Sequence, residues 1–271
     1  MIQYTTDAPE QPRSAHRDMS VNLIDHTGKG FDDPWYPASL MIWTKRTRIE
    51  MSPGGLEEIL AWPEDRKVEE LEYMARTIPS SWEFCDFTFL IQNVTRAFTH
   101  QLVRTRSMSF AQQTMQVLDM SQGPGWDYLV GPSLVGKEAQ TEFQDLMEDV
   151  ADFYARWVGP EGQEQGVRIE DVRGALPTNV LTNIVVKGNL RSLCDLIRKR
   201  SSPRNTGEFP DVIRAMRASM LEALPWTEIF LSREADRVAQ ELYQVIRTHV
   251  PPGRERNDAI KLVDQLLTNV S

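Results

Sequence analysis

Apolar positions along the chain fall into two patterns, short runs and four-residue periodicities, and each predicts a different element. Val21-Asn22-Leu23-Ile24-Asp25, closed by Gly28 and Gly30, and Phe87-Thr88-Phe89-Leu90-Ile91 predict strands from their β-branched and aromatic content. Leu40-Met41-Ile42-Trp43 is a further apolar run after a Pro/Asp-rich loop, and Glu69 to Thr77 predicts a helix stopped before Pro79. Val94, Phe98 and Leu102 recur every four residues, which predicts a helix from Thr95 to about Arg106 with Gln101 and Arg104 off the apolar stripe. Phe143, Leu146, Met147, Val150 and Phe153 mark a strong amphipathic helix before the breaker Gly159-Pro160. Ile184-Val185-Val186 predicts a strand, and Gly188 leads into a helix with Leu190, Leu193, Cys194 and Ile197 on one face and Arg191, Asp195 and Arg198 on the other. Helices near 211–223 and 232–248, and one beyond Pro251-Pro252, complete a helix-rich α+β plan with a small mixed or antiparallel sheet.

With 271 residues, 41% hydrophobic and 25% charged, the chain is an ordinary globular one, and collagen-like or wholly disordered readings fall away. The formal charge of −9 argues against a nucleic-acid coat but leaves room for a local basic pocket. Two cysteines, Cys85 and Cys194, build no disulfide framework, and no Cys/His cluster has metal spacing, so a reducing, cytoplasmic setting is expected. Residues 1–20 are polar and carry Pro9 and Pro12, which predicts a flexible segment, neither signal peptide nor membrane span, ahead of a single domain over 21–271.

Chemistry concentrates between Thr99 and Thr114, where Arg104 and Arg106 stand among Gln101, Thr105, Ser107, Ser109, Gln112 and Gln113. Arginines two apart can reach one anion with rigid forks of donors, and amide and hydroxyl groups can bond a base or ribose. A solvated helix end would have the same composition. A second constellation lies downstream: Arg173-Gly174-Ala175-Leu176-Pro177, Asn189-Leu190-Arg191-Ser192-Leu193 and Arg200.

Together the two stretches resemble the flavin-dependent thymidylate synthase family. The family's Arg-His-Arg, seven residues, then Ser stands here as Arg104-Thr105-Arg106, seven residues, then Thr114, approached through Val94 to Val103. Downstream the Arg-x-x-Leu-Pro and Asn-x-Arg-Ser-Leu elements follow in the family's order, and the resemblance covers about Val21 to Arg200. It implies a homotetramer with shared sites, FAD held between subunits, methylenetetrahydrofolate as one-carbon donor, NADPH as an allowed reductant, and transfer to C5 of dUMP. Carried over residue by residue, Gln101, Arg104, Gln112, Thr114, Arg173, Asp195 and Arg200 match substrate positions. Arg104, Thr105, Arg106, Asn189 and Arg191 match flavin positions. No metal and no catalytic side chain is implied.

The sequence also departs from that pattern. Thr105 replaces the motif histidine, Glu83-Phe84 stands where the family has Glu-His, and Gln116-Val117 replaces Arg-Tyr. Losing two histidines and an arginine points to altered chemistry or substrate. Hydroxymethylation of dUMP or dCMP therefore stands beside methylation, and a non-catalytic nucleotide-binding homologue is the third reading. Asp195 as a pure acceptor would favour the 4-amino group of cytosine, or it pairs with Arg191 or Arg198 on its own helix. Cys85 and Cys194 are either nucleophiles toward C6 or buried core, and their apolar surroundings favour core. Trp35, Tyr36, Trp43 and Trp62 either stack on folate or flavin or fill core and interface.

Overall fold

The computed structural model describes residues 19–46, 53–116, 119–120, 127–200, 207–231 and 234–269. The N-terminal segment expected to be flexible lies outside them through residue 18. In chain order the elements are β1 (Ser20–His26), α1 (Tyr36–Lys45), α2 (Pro53–Leu60), α3 (Glu64–Thr77), a 3-10 turn (Pro79–Phe84), β2 (Asp86–Thr95), α4 (Arg96–Leu102) and β3 (Ser109–Gln112). There follow α5 (Glu138–Val158), α6 (Pro160–Glu164), α7 (Ile169–Val172), a 3-10 turn (Arg173–Ala175), β4 (Leu181–Asn189) and α8 (Leu190–Arg200). The chain then runs through α9 (Phe209–Ala223), α10 (Glu228–Leu231), α11 (Glu234–His249) and α12 (Arg254–Asn269). The strands form one antiparallel sheet in the order β1-β2-β4-β3, the helix-rich α+β arrangement expected.

The chain divides into two units. The first holds Ile91–Arg104 and Phe110–Val185. Its core is the inward face of α5, Met147 and Ala151, against Met115, Tyr128, Val130 and Val180, with Phe143 meeting Tyr128 edge-on at 5.9 Å between ring centroids. Asn93 adopts a left-handed φ of 57°, a conformation asparagine tolerates, and its N–H donates to Asn183 Oδ1 at 3.1 Å. This kink falls two residues before the end of β2, just ahead of α4.

The second unit holds Val21–Leu90, Thr105–Ser109 and Val186–Ser271. Phe87 and Phe89 of β2 are fully buried while Asp86, Thr88 and Leu90 are partly covered, the period-two pattern of a strand with one covered face. Trp82 packs edge-on to Phe230 at 4.9 Å and donates its indole N–H to Met74 O at 3.2 Å, so its polar handle is satisfied. Helix α8 buries Leu190, Leu193, Cys194, Leu196 and Ile197. Helices α11 and α12 enclose a small cluster of Ala239, Tyr243, Ile260 and Val263.

Several boundaries differ from the pattern reading. Helix α4 ends at Leu102, four residues short, because the chain turns at Thr105–Met108 and pairs again as β3. Val94 belongs to β2 rather than to the helix, and the Leu40–Trp43 run lies within α1.

Candidate functional site

In the first unit, α4 is fastened at its N-terminus. Thr95 Oγ1 accepts the N–H of Phe98 at 3.0 Å, while the N–H groups of Arg96 and Ala97 donate to Val180 O at 3.0 Å and Thr178 O at 2.7 Å. These bonds satisfy the donors that a helix start leaves open. Buried Thr99 then donates its hydroxyl to Arg96 O at 3.0 Å and accepts Gln112 Nε2 at 2.8 Å. Gln112 is thereby oriented, and its amide oxygen accepts no bond among the described residues. The next residue is tied more firmly. Gln113 N–H donates to Asn183 O at 2.9 Å, its Oε1 accepts Asn183 Nδ2 at 3.0 Å, and its carbonyl accepts Arg96 Nη1 at 3.3 Å. Thr114, exposed beyond this anchor, accepts the N–H of Gln116 at 3.1 Å and keeps its hydroxyl proton to give. Gln101 and Arg104 are exposed, off the apolar stripe as the periodicity requires.

Arg173 opens the 3-10 turn after α7 and donates Nε to Glu170 O at 3.2 Å. Its charge is felt by Arg96, whose guanidinium is made more acidic than usual first by burial and then by Arg173. Among the described residues, Arg96, Arg104 and Arg173 make no ion pair. The first unit thus carries two of the expected arginines and Arg96, which sequence reasoning passed over. Its only signal was a charged side chain in the approach to the motif. Glu170 Oε1 accepts Gln116 Nε2 at 2.7 Å, so a neutral amide donates to this carboxylate at the position where the resemblance expects arginine.

The second unit carries Thr105, Arg106, Asn189, Arg191, Asp195 and Arg200. The turn after α4 is closed by Met108 N–H to Thr105 O at 3.2 Å, and Ser192 donates its hydroxyl to Ser107 O at 3.3 Å. Met108 is buried against Gly188, where an added Cβ would come within 2.8 Å of Met108 Cε; glycine is what lets turn and strand approach. Asn189 Oδ1 accepts the N–H of Ser192 at 2.9 Å and caps α8, while its NH2 group makes no bond among the described residues. Leu190 N–H donates to Cys85 O at 2.7 Å, and Arg191 Nη1 meets Glu83 Oε1 at 2.7 Å. Phe84 is 53% exposed beside that pair. Arg106 is exposed and Thr105 half-buried. Asp195 is paired with Arg198 at 3.4 Å, whereas Arg191 is turned to Glu83. Arg200 lies over the ring of Phe209 at 4.3 Å.

Cys85 and Cys194 are both buried, and burial first, then the charges of Asp86 and Cys194, pushes the Cys85 thiol well above its usual range. A thiol so held is core, not nucleophile. Among the described residues no cluster of His, Cys, Asp and Glu is placed to hold a metal ion, and no helix is long and apolar enough to cross a membrane.

A family model described as thymidylate synthase complementing protein matches residues 23–226, a span that contains every residue named above as a site position. The chain belongs to this family. It is similar to the flavin-dependent thymidylate synthase of Nitratidesulfovibrio vulgaris, with 35% identity over 147 residues, 53% of this chain and 59% of that one. The Thermococcus onnurineus protein of the same name is 34% identical over 72% of this chain and 75% of its own. That of Pyrococcus abyssi is 26% identical over 91% and 99%. The matched stretch thus spans under two thirds of the Nitratidesulfovibrio protein but nearly all of the Pyrococcus one.

Proposed function

We propose that this chain transfers a one-carbon unit from methylenetetrahydrofolate to C5 of a pyrimidine deoxynucleoside monophosphate, converting dUMP to dTMP with FAD as cofactor. The family match over residues 23–226 carries the reading. The side chains support it. A nucleotide monophosphate is a dianion, and Arg104 and Arg173 offer charge not consumed by carboxylates of the described residues, each charge-assisted bond contributing about 1.5 to 3 kcal/mol. Gln112, held by Thr99, presents an acceptor for a base N–H, while Gln101 and Thr114 supply donors for base or ribose. Arg200, over Phe209, is the second-unit arginine assigned to the substrate.

The donor set of the second unit fits a flavin dinucleotide. Arg106 and Arg191 match its pyrophosphate charge, and the NH2 of Asn189 and the hydroxyl of Thr105 can bond ring or ribitol oxygens. When bound, the reduced flavin supplies the hydride that completes the methyl group. The chain's own part is orientation: Asn189 and Arg191 stand at the rigid start of α8, and the turn bearing Thr105 and Arg106 is pinned to it through Ser192 and Gly188.

A second reading, hydroxymethylation of dUMP or dCMP, draws on Phe84 and Thr105. A phenyl ring and a hydroxyl stand where two imidazoles are expected, so the surroundings that decide whether hydride or water completes the product are altered. Retention of Arg104, Arg106, Asn189 and Arg191 speaks against a non-catalytic homologue, since an idle pocket has no physical need for that much positive charge. The reading takes 21–271 as one catalytic domain working in the cytoplasm as a homotetramer, with NADPH as reductant.

The test is the purified protein itself. Bound flavin absorbance, dUMP binding by calorimetry and a light-scattering mass near four times 31.1 kDa are expected. A monomer that binds neither ligand contradicts the proposal.

A further inference from the structure

The ion pair between Glu83 and Arg191 joins residues 108 positions apart. It is built into the strand register. The bond from Leu190 N–H to Cys85 O fixes the residue before Arg191 against the residue two beyond Glu83, so the pair does not depend on two wandering side chains finding each other. Contact is through one nitrogen only, Nη1 to Oε1 at 2.7 Å, and both side chains are about half exposed, 46% and 47%. The remaining N–H groups of the guanidinium make no bond among the described residues. The neighbouring Phe84 adds no charge.

We propose that Glu83 sets how tightly Arg191 holds an anion: its carboxylate fixes one edge of the guanidinium and opposes the negative charge of any phosphate that docks on the other. A phosphate on the free edge lies within one guanidinium width of the carboxylate, where like charges repel even in a partly solvated setting. Neutralising Glu83 leaves Arg191 in place and removes that opposition. Glu83 is thus a positioning and affinity-limiting residue, not a catalytic one. Its effect on the cofactor rests on the placement of flavin at Arg191 given above.

The experiment measures binding of FAD, by fluorescence quenching, and of inorganic pyrophosphate, by thermal shift, to the parent, Glu83→Gln, Arg191→Ala and the double variant, each at low and high salt. Glu83→Gln is expected to bind both probes about three- to tenfold tighter at low salt. The gain should shrink at high salt and vanish in the Arg191→Ala background. Unchanged or weaker binding of both probes in Glu83→Gln, or an equal gain without Arg191, overturns the proposal. If Arg191→Ala keeps parental FAD affinity while Glu83→Gln still tightens pyrophosphate through Arg191, the flavin placement falls and the role of Glu83 stands.

Discussion

Gln112 donates its side-chain N–H across 2.8 Å to the hydroxyl of Thr99, a fully buried residue thirteen positions earlier in the chain. That hydroxyl also donates to Arg96 O, so one oxygen organises both the helix start and a residue expected to bind the substrate. Thr99→Val keeps the shape and removes both bonds. The variant should lose about 1 to 3 kcal/mol of stability, and Gln112, no longer oriented, should bind dUMP several-fold more weakly. Denaturant unfolding and calorimetry read the two effects separately, and unchanged nucleotide affinity would show that Gln112 does not touch the ligand.

Asn189 does two jobs with two atoms, capping α8 through Oδ1 and keeping its NH2 for a ligand. Asn189→Ala should cost about 0.5 to 2 kcal/mol through the lost cap and should also release flavin. Asn189→Asp retains a capping oxygen but has no NH2, so its melting temperature should stay near the parent's while flavin retention falls. Equal flavin content in Asn189→Asp and the parent would limit Asn189 to the cap.

How far the chain could be read without coordinates follows from the range of each interaction. Strand β2 and helices α5 and α8 announce themselves because each buries one face over many residues, and periodicity reports that directly. Strand β3 does not: Ser109-Phe110-Ala111-Gln112 is four residues long at the sheet edge and too short to show a pattern. The Leu40–Trp43 run was ambiguous for the same reason, since a short apolar stretch suits strand and helix alike. The candidate site was legible as residue types in motif order. Its partners were not, because Glu83 with Arg191, Arg96 with Gln113 and Ser107 with Ser192 are set by sheet register and by packing across 17 to 108 positions.

Asp195 pairs with Arg198 at 3.4 Å yet is about half exposed, so that pair contributes little, under about 1 kcal/mol. If Asp195 reads the base as an acceptor, Asp195→Asn should shift preference from dCMP toward dUMP. An unmatched buried polar contact costs about 1 to 3 kcal/mol, which is roughly a five- to hundredfold change in the ratio of kcat/KM values. A constant ratio with a small fall in Tm would assign Asp195 to Arg198 alone.

Cys85 and Cys194 should be dispensable for turnover, so Cys85→Ala and Cys194→Ala keep kcat within a few-fold of the parent. Because the folded-state pKa of Cys85 is raised, the stability its neutral thiol contributes is fully present below the unfolded thiol pKa, about 8.5, and is lost progressively as pH rises above it. Iodoacetamide at neutral pH should leave both thiols unmodified until the protein is denatured. Rapid alkylation of the native protein with loss of activity would make one of them a nucleophile.

The most direct measurement of the central reading is product identification. The protein, supplied with methylenetetrahydrofolate, FAD and a reductant and offered dUMP or dCMP in separate reactions, is analysed by mass spectrometry of the nucleotide fraction. The account predicts a C5-substituted product, dUMP gaining one CH2 unit to become dTMP, with a further oxygen on the product if water rather than hydride completes the reaction. Recovery of both nucleotides unchanged, from protein shown to hold its flavin, would contradict it.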